Sequence, residues 1–278
     1  MRSRDLIAAI SLAAALAMPM SAQAFDESKY PDFSGQWRRP PGIAIQWDQS
    51  KPVGRGQQAP LTPEYQKVFE QSLADQAAGG QGNDPPSRCV PYGLPRIMSV
   101  IFPMEIVVTP KTTHILFDYA LPRRIYTDGR DFPKEIEPSY YGYSIGKWVD
   151  ENGDGRYDVL EIESRGFKGP RSYEATGLPL HHDNESIVKE RLYIDKNDPD
   201  MLHDQVTVTD HALTRPWIVD KHYKREHDPI WFLNECSEDN RHVFFGGEDY
   251  FIGGDDLLMP SKKGQSPPDT RYFKPAAK

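Results

Sequence analysis

A period of two constrains this chain more than any other feature. Three short runs, Ser186–Asp195, Leu202–Asp210 and Trp217–Lys224, have the composition of a pleated surface. In the first, Val188, Glu190, Leu192 and Ile194 fall on one row and Ile187, Lys189, Arg191 and Tyr193 on the other. Residues two apart share a face of a strand, so such runs fold as sheet with one face against a core. Comparable runs precede them at Glu105–Thr109, Thr112–Tyr119 and Arg123–Thr127, divided by Pro110-Lys111 and Ala120-Leu121-Pro122 and closed by Asp128-Gly129. Ile230–Glu235 adds another. Strands in regular succession with turn signals between them predict an all-β fold, an antiparallel meander closing into a β-barrel of about 8–10 strands. The 25 prolines and 21 glycines fit long ordered loops.

One segment breaks the pattern. In Leu61-Thr-Pro-Glu-Tyr65, Thr62 is placed as an N-cap, Pro63 at the first helical position and Glu64 in the first turn. The helix is expected over 61–78, ending before Gly79-Gly80, outside the barrel and with Tyr65, Val68, Phe69 and Leu73 turned inward. Upstream, Pro31-Asp-Phe-Ser-Gly-Gln-Trp37 reads as a turn into a first strand, and its Gly35-Gln36-Trp37 resembles the Gly-x-Trp that opens lipocalin and calycin barrels.

Met1–Ala24 carries Arg2 and Arg4, an apolar run from Leu6 to Met20, and Ser21-Ala-Gln-Ala24 with small residues at the cleavage positions. That order predicts a signal peptide, and hence a periplasmic or secreted protein with no membrane insertion after cleavage. The remainder, 25–278, is expected as a single barrel domain whose end, 240–278, wraps back over it. Export exposes Cys89 and Cys236, the only cysteines, to an oxidising compartment, where a bridged pair is expected and two buried thiols are the alternative. Such a bridge closes a long loop and contributes about 4 to 5 kcal/mol on the chain-entropy account. A net charge of −8 excludes a general nucleic-acid partner, which needs a basic face.

Asp150-Glu-Asn-Gly-Asp-Gly-Arg-Tyr-Asp-Val-Leu-Glu161 is the sharpest chemical signal. Oxygen side chains take the first, third, fifth, ninth and twelfth places, with Gly155 sixth, the order of an EF-hand calcium loop. The candidate ligands are Asp150, Asn152, Asp154, Arg156, Asp158 and Glu161, with Arg156 at the seventh place, where an EF-hand uses the main chain. The flanks, Tyr143–Trp148 and Tyr157–Ser164, have strand rather than helix periodicity, so the likeness is to the loop alone. A Ca2+ clip joining two strands is expected, and a plain solvated hairpin turn is the alternative.

Several motifs together identify a relationship. Pro31-Asp-Phe-Ser-Gly-Gln-Trp37, Leu61-Thr-Pro-Glu-Tyr65, Arg88-Cys-Val-Pro-Tyr-Gly-Leu-Pro-Arg96, Arg123-Arg-Ile-Tyr126 with Asp128-Gly-Arg130, Ser144-Ile-Gly-Lys-Trp148, and Thr214-Arg-Pro-Trp217 with Glu235-Cys236 resemble a large family of exported bacterial proteins of unassigned function. The likeness implies a β-barrel and carries no activity to transfer.

A barrel of this size can hold a small, mostly apolar molecule in its mouth. The residues expected to bind it are Arg124, Tyr126, Asp128 and His181. An enzyme of the lyase, isomerase or hydratase class would draw on His181 and Asp183 to move a proton, with Arg124 and Glu190 completing the set. Arg124 and Glu190 also fit a purely structural ion pair, and a structural role at the envelope needs no pocket at all. His181 and His182 are adjacent and on an extended chain point apart; His203, His211, His222, His227 and His242 show no HxH, HxxxH or HExxH spacing, so the spacings disfavour zinc. No Gly-x-Ser-x-Gly elbow is present.

Overall fold

Each run with a two-residue period that falls within the described residues forms a strand. A computed structural model describes residues 25–40, 46–99, 102–230 and 241–269. Nine strands close into a barrel in chain order. They are β1 (Gln36–Arg38), β2 (Met104–Val108), β3 (Thr112–Phe117), β4 (Ala120–Tyr126), β5 (Tyr143–Val149), β6 (Val159–Arg165), β7 (Ile187–Ile194), β8 (Met201–Thr209) and β9 (Trp217–Glu226). Strand β1 is the seam, with Trp37 paired to Met104 of β2 and Arg225 of β9, both antiparallel.

An odd number of strands cannot close as a pure up-and-down meander, because every antiparallel step reverses direction. With the seam antiparallel, one neighbouring pair must be parallel. That pair is β4 and β5, joined through Ile125 opposite Ser144 and Tyr126 opposite Ile145. The expected meander is thus corrected at one point, and the long 127–142 connection is what a parallel crossover requires. It enters β5 through Gly142, at φ +68°, where an added Cβ would lie 2.6 Å from the Arg165 carbonyl oxygen. Only glycine meets both conditions.

Inside the barrel the alternating rows interlock. Leu202, Asp204, Val206 and Val208 of β8 face Trp217, Val219, Lys221 and Tyr223 of β9, all buried. A short 3-10 turn, Arg96–Ser99, stoppers the space near β9: Tyr223 donates to the Met98 carbonyl and Lys221 to Ser99 Oγ at 2.9 Å. Trp47, Tyr173 and Trp217 pack edge to face around it, with centroids 5.1 to 6.1 Å apart. The proline-rich stretch before the turn is ordered, as expected, because Arg96 forks onto Asp84 in a buried ion pair.

The helix α1 spans Pro63–Ala77, with Thr62 accepting from the Tyr65 amide. Tyr65, Phe69 and Ser72 are its buried residues, whereas Val68 and Leu73 of the expected stripe are half-buried. Ser72 replaces them because the helix docks onto a loop rather than a sheet: its hydroxyl donates to Thr176 O, and Gln76 donates to Ala175 O. After the barrel, β10 (His242–Phe245), β11 (Glu248–Ile252) and β12 (Leu258–Pro260) form their own antiparallel sheet. After β12 the chain meets the helix, through Lys262 on Asp75 and the Lys263 amide on Ala78 O, and residues 270–278 of the expected wrap lie outside the described residues.

Met1–Ala24 and most of the Ile230–Glu235 run lie outside the described residues, as does Cys236. Cys89 is not a free thiol. Among the described residues no helix is long and apolar enough to cross a membrane.

The Gly142 geometry gives a direct test. Gly142→Ala is expected to destabilise the barrel by about 1–3 kcal/mol, the cost of a side chain held at positive φ, measured by urea unfolding; a loss under about 0.5 kcal/mol, the range of ordinary surface changes, would show that the β5 entry is not so constrained.

Candidate functional site

The polar residues of the barrel interior come first, because they decide which side chains are available elsewhere. On β4, Arg123 and Ile125 point inward and Arg124 outward. Arg123 is 1% exposed and forks onto Glu190, itself 2% exposed: NH1 donates to Oε1 at 2.7 Å and NH2 to Oε2. NH2 also donates to Ser164 Oγ at 3.2 Å, and Ser164 meets Ser144 at 2.7 Å. The ion pair expected for Arg124 therefore belongs to its neighbour. Arg124 is exposed, beside His114 on the outer face.

Asp204 is fully buried in the same interior, and neither of its carboxyl oxygens has a hydrogen-bond partner. Burial, followed by the nearby Glu190 carboxylate, pushes it well above the usual carboxylate range. Lys221 is pushed well below its ordinary value by burial and by Arg39. It donates to Trp47 O at 2.6 Å and lies 3.8 Å over that indole ring.

The open space lies to one side. A cleft of about 700 Å3 is lined by residues of β5 to β8 together with Tyr30, Tyr157 and the turn at Thr127–Arg130. One end is aromatic: Tyr30 stands edge-on to Trp148 at 5.0 Å and 5.1 Å from Tyr157. The Trp148 indole N–H is buried with no acceptor. The walls are charged, with Lys147, Glu161, Arg191 and Gln205 in one cross-strand row and Glu163 beside Lys189 in the next. Glu190 is among the lining residues, with its carboxylate turned away into the buried ion pair.

Tyr126 and Asp128, expected as ligand contacts, flank the rim. Tyr126 stacks on Tyr143 at 4.9 Å, and the Arg130 guanidinium lies 3.9 Å above its ring. Arg130 forks onto Asp128, and that hydrogen bonding pulls the Asp128 carboxyl down to about 2. Arg130 is the member of this group that lines the cleft.

The acidic loop joins β5 to β6 and is exposed from Glu151 to Arg156. Its carboxylates hold its own main chain. Asp150 accepts the amides of Gly153, Asp154 and Gly155; Asn152 accepts that of Asp154, Asp154 that of Arg156, and Asp158 that of Glu151. This is a preformed turn with its oxygens drawn together by N–H donors. Glu161, the twelfth place, stands on β6 and faces Arg191 at 3.7 Å. Tyr157 and Glu161 belong both to the loop and to the cleft lining, and Glu151 pairs with Arg191 of the opposite wall.

The histidine loop is a separate place. His181 Nδ1 lies 2.8 Å from Asp183 Oδ2 and accepts the Asp183 amide at 3.2 Å, while His211 Nδ1 contacts the same carboxylate at 2.6 Å. Burial raises the Asp183 carboxyl, yet the bonds from His211, the Glu185 amide and His181 outweigh it and hold the group below its usual range. The chain turns here, so the rings of His181 and His182 stack at 4.4 Å rather than pointing apart, and His182 Nδ1 meets Tyr65 OH. No hydrogen bond or ion pair joins His181 or Asp183 to Glu190 among the described residues. The four expected catalytic residues thus divide into a surface loop, an outer wall and a buried pair.

No protein-family model matches the chain, and no curated protein or solved structure matches it. The geometry therefore carries the functional reading.

Because Arg123 and Glu190 are both buried, removing one strands the other's charge. Arg123→Ala is expected to cost about 3–5 kcal/mol in denaturant unfolding, and Arg124→Ala no more than about 0.5 kcal/mol. The reverse order would overturn the assignment.

Proposed function

We propose that the protein is an exported β-barrel that takes a small, mostly apolar ligand against Tyr30, Trp148 and Tyr157, in a cleft whose wall is stiffened by calcium in the 150–161 loop. The supporting observation is the aromatic cluster of Tyr30, Trp148 and Tyr157, ring centroids 5.0 to 6.1 Å apart, at one end of an open space of about 700 Å3. The aromatic faces provide the apolar contact, while Arg130 and Lys147 suit an anionic or carbonyl end. Export follows from the Met1–Ala24 leader, and the Cys89–Cys236 pairing from the oxidising compartment that export implies.

Calcium belongs to the same reading because the loop and the cleft share Tyr157 and Glu161. An ion gathering Asp150, Asn152, Asp154, Asp158 and Glu161 would fix the start of β6, and with it one wall. Bound only to the folded chain, it stabilises by mass action.

A second reading, turnover of such a ligand by a lyase, isomerase or hydratase, draws on Glu190 with Asp204 beside it. A carboxyl that burial pushes well above the usual carboxylate range can supply a proton. In this form the pair replaces His181 and Asp183. Loss of turnover in Asp204→Asn with unchanged stability would favour it over binding alone.

Native mass spectrometry of the protein, purified from the exported fraction without chelator, tests the main reading. The expected result is an organic mass that Trp148→Ala and Tyr30→Ala lose, and a calcium mass lost with chelator and in Asp154→Ala. At a hundredfold excess over Kd, calcium should add about 2.7 kcal/mol to unfolding. A wild-type protein that carries no organic mass and takes none from an extract of its own cells would sink the ligand proposal.

A further inference from the structure

We propose that His203, Asp220 and His222 form a site for one divalent transition metal ion of the zinc type on the outer wall of the barrel. Their placement follows from strand register. His203 on β8 is directly opposite His222 on β9, and Asp220 lies two residues before His222, so all three project from the outward face while Lys221 and Tyr223 point in. His203 Nδ1 lies 3.2 Å from Asp220 Oδ2 and His222 Nε2 lies 3.1 Å from the same oxygen. The three ligand atoms all fall within 4.8 Å of one another. A tetrahedral ion with bonds of about 2.0–2.1 Å holds its ligand atoms about 3.3 Å apart, close to the spacing present.

Three further observations separate this group from an ordinary hydrogen-bonded cluster. The other nitrogen of His203 faces Asp195 Oδ2 at 3.2 Å, the outer carboxylate that fixes ring and tautomer in metal-ligating histidines. The second Asp220 oxygen, Oδ1, is buried with no partner. The frame is also rigid: Tyr193 stacks on His203 at 4.9 Å and an interplanar angle of 2°, and Gln49 clasps the His222 main chain through both its amide and its carbonyl. The side chains of Asp220 and His222 are 39% and 40% exposed, which leaves a coordination position open to water. The His181, Asp183 and His211 group differs, since the Asp183 amide already occupies the His181 Nδ1 lone pair. The spacing rules that disfavour zinc in this chain are rules for one segment, and here the ligands come from two strands.

Zinc titration of the chelator-stripped full-length protein, by calorimetry and elemental analysis in excess calcium, tests the site. One equivalent of Zn2+ is expected, with affinity reduced at least about a hundredfold in Asp220→Asn and His222→Ala, and about 10–100-fold in Asp195→Asn, which acts through His203. His181→Ala and His211→Ala should leave it unchanged. Substituting Co2+ in the wild-type protein should give the intense visible absorption of a four-coordinate ion, a readout that needs no variant to fold. Absence of zinc uptake, uptake surviving the Asp220→Asn and His222→Ala double substitution, or uptake lost with His181→Ala would each overturn the proposal.

Discussion

The buried contact between Arg123 and Glu190 governs the rest of this barrel. Placing two charges where neither touches water costs several kcal/mol per ion, and only a fork with both oxygens engaged offsets it. The pair ties β4 to β7 across β5 and β6, with the Ser164 and Ser144 hydroxyls completing the chain between them. Since the side-chain period is two, slipping either strand by one residue would turn a charge outward and leave its partner buried alone. The pair therefore fixes register beside the short parallel pairing of β4 and β5.

The same pair shapes the chemistry around it. Burial and then the neighbouring Glu190 carboxylate push Asp204 well above the usual carboxylate range. Glu190 then forms part of the cleft lining while its charge is committed inward. The interior itself is occupied: Trp37, Ile115, Ile125, Leu160 and Leu192 are buried there, and the turn at Arg96–Ser99 with Trp47 stoppers the space near β9. A barrel of about eight strands encloses little more than its own side chains. Open space is thereby left at the wall, where β5 to β8 display alternating charge and the loops supply aromatic rings.

How much of this was legible in the sequence depends on the distance over which each signal acts. The strands declared themselves through alternation, and the helix through Thr62 and Pro63, because both signals are local. The choice between Arg123 and Arg124 was local too: Ile125, an apolar residue one place on, sets the phase of β4 and sends Arg123 inward with it. Placing Arg124 with Tyr126 among the ligand contacts takes the opposite phase. The parallel joining of β4 to β5 leaves no mark in either strand, for it is a consequence of closing nine strands with an antiparallel seam. Tyr30 and Trp148 lie far apart in the chain and meet only through the barrel mouth, so no motif could announce the aromatic end of the cleft.

The histidines show the same limit more sharply. His203 and His222 are brought face to face by the register of β8 on β9, a relation that no spacing rule for a single segment can express. The acidic loop, by contrast, is visible because all its oxygens lie in twelve consecutive residues. The two kinds of site also differ in what holds them. The loop's carboxylates are held by amides of the loop itself, so its order depends on its own turn. The wall histidines borrow their order from the sheet beneath, where Asp204 and Lys221 alternate inward with them on the same two strands. The inner row is buried and fixed by packing, which leaves the outer row little freedom to move, and side chains held in this way meet the condition for binding an ion without first paying the entropy of assembling its ligands.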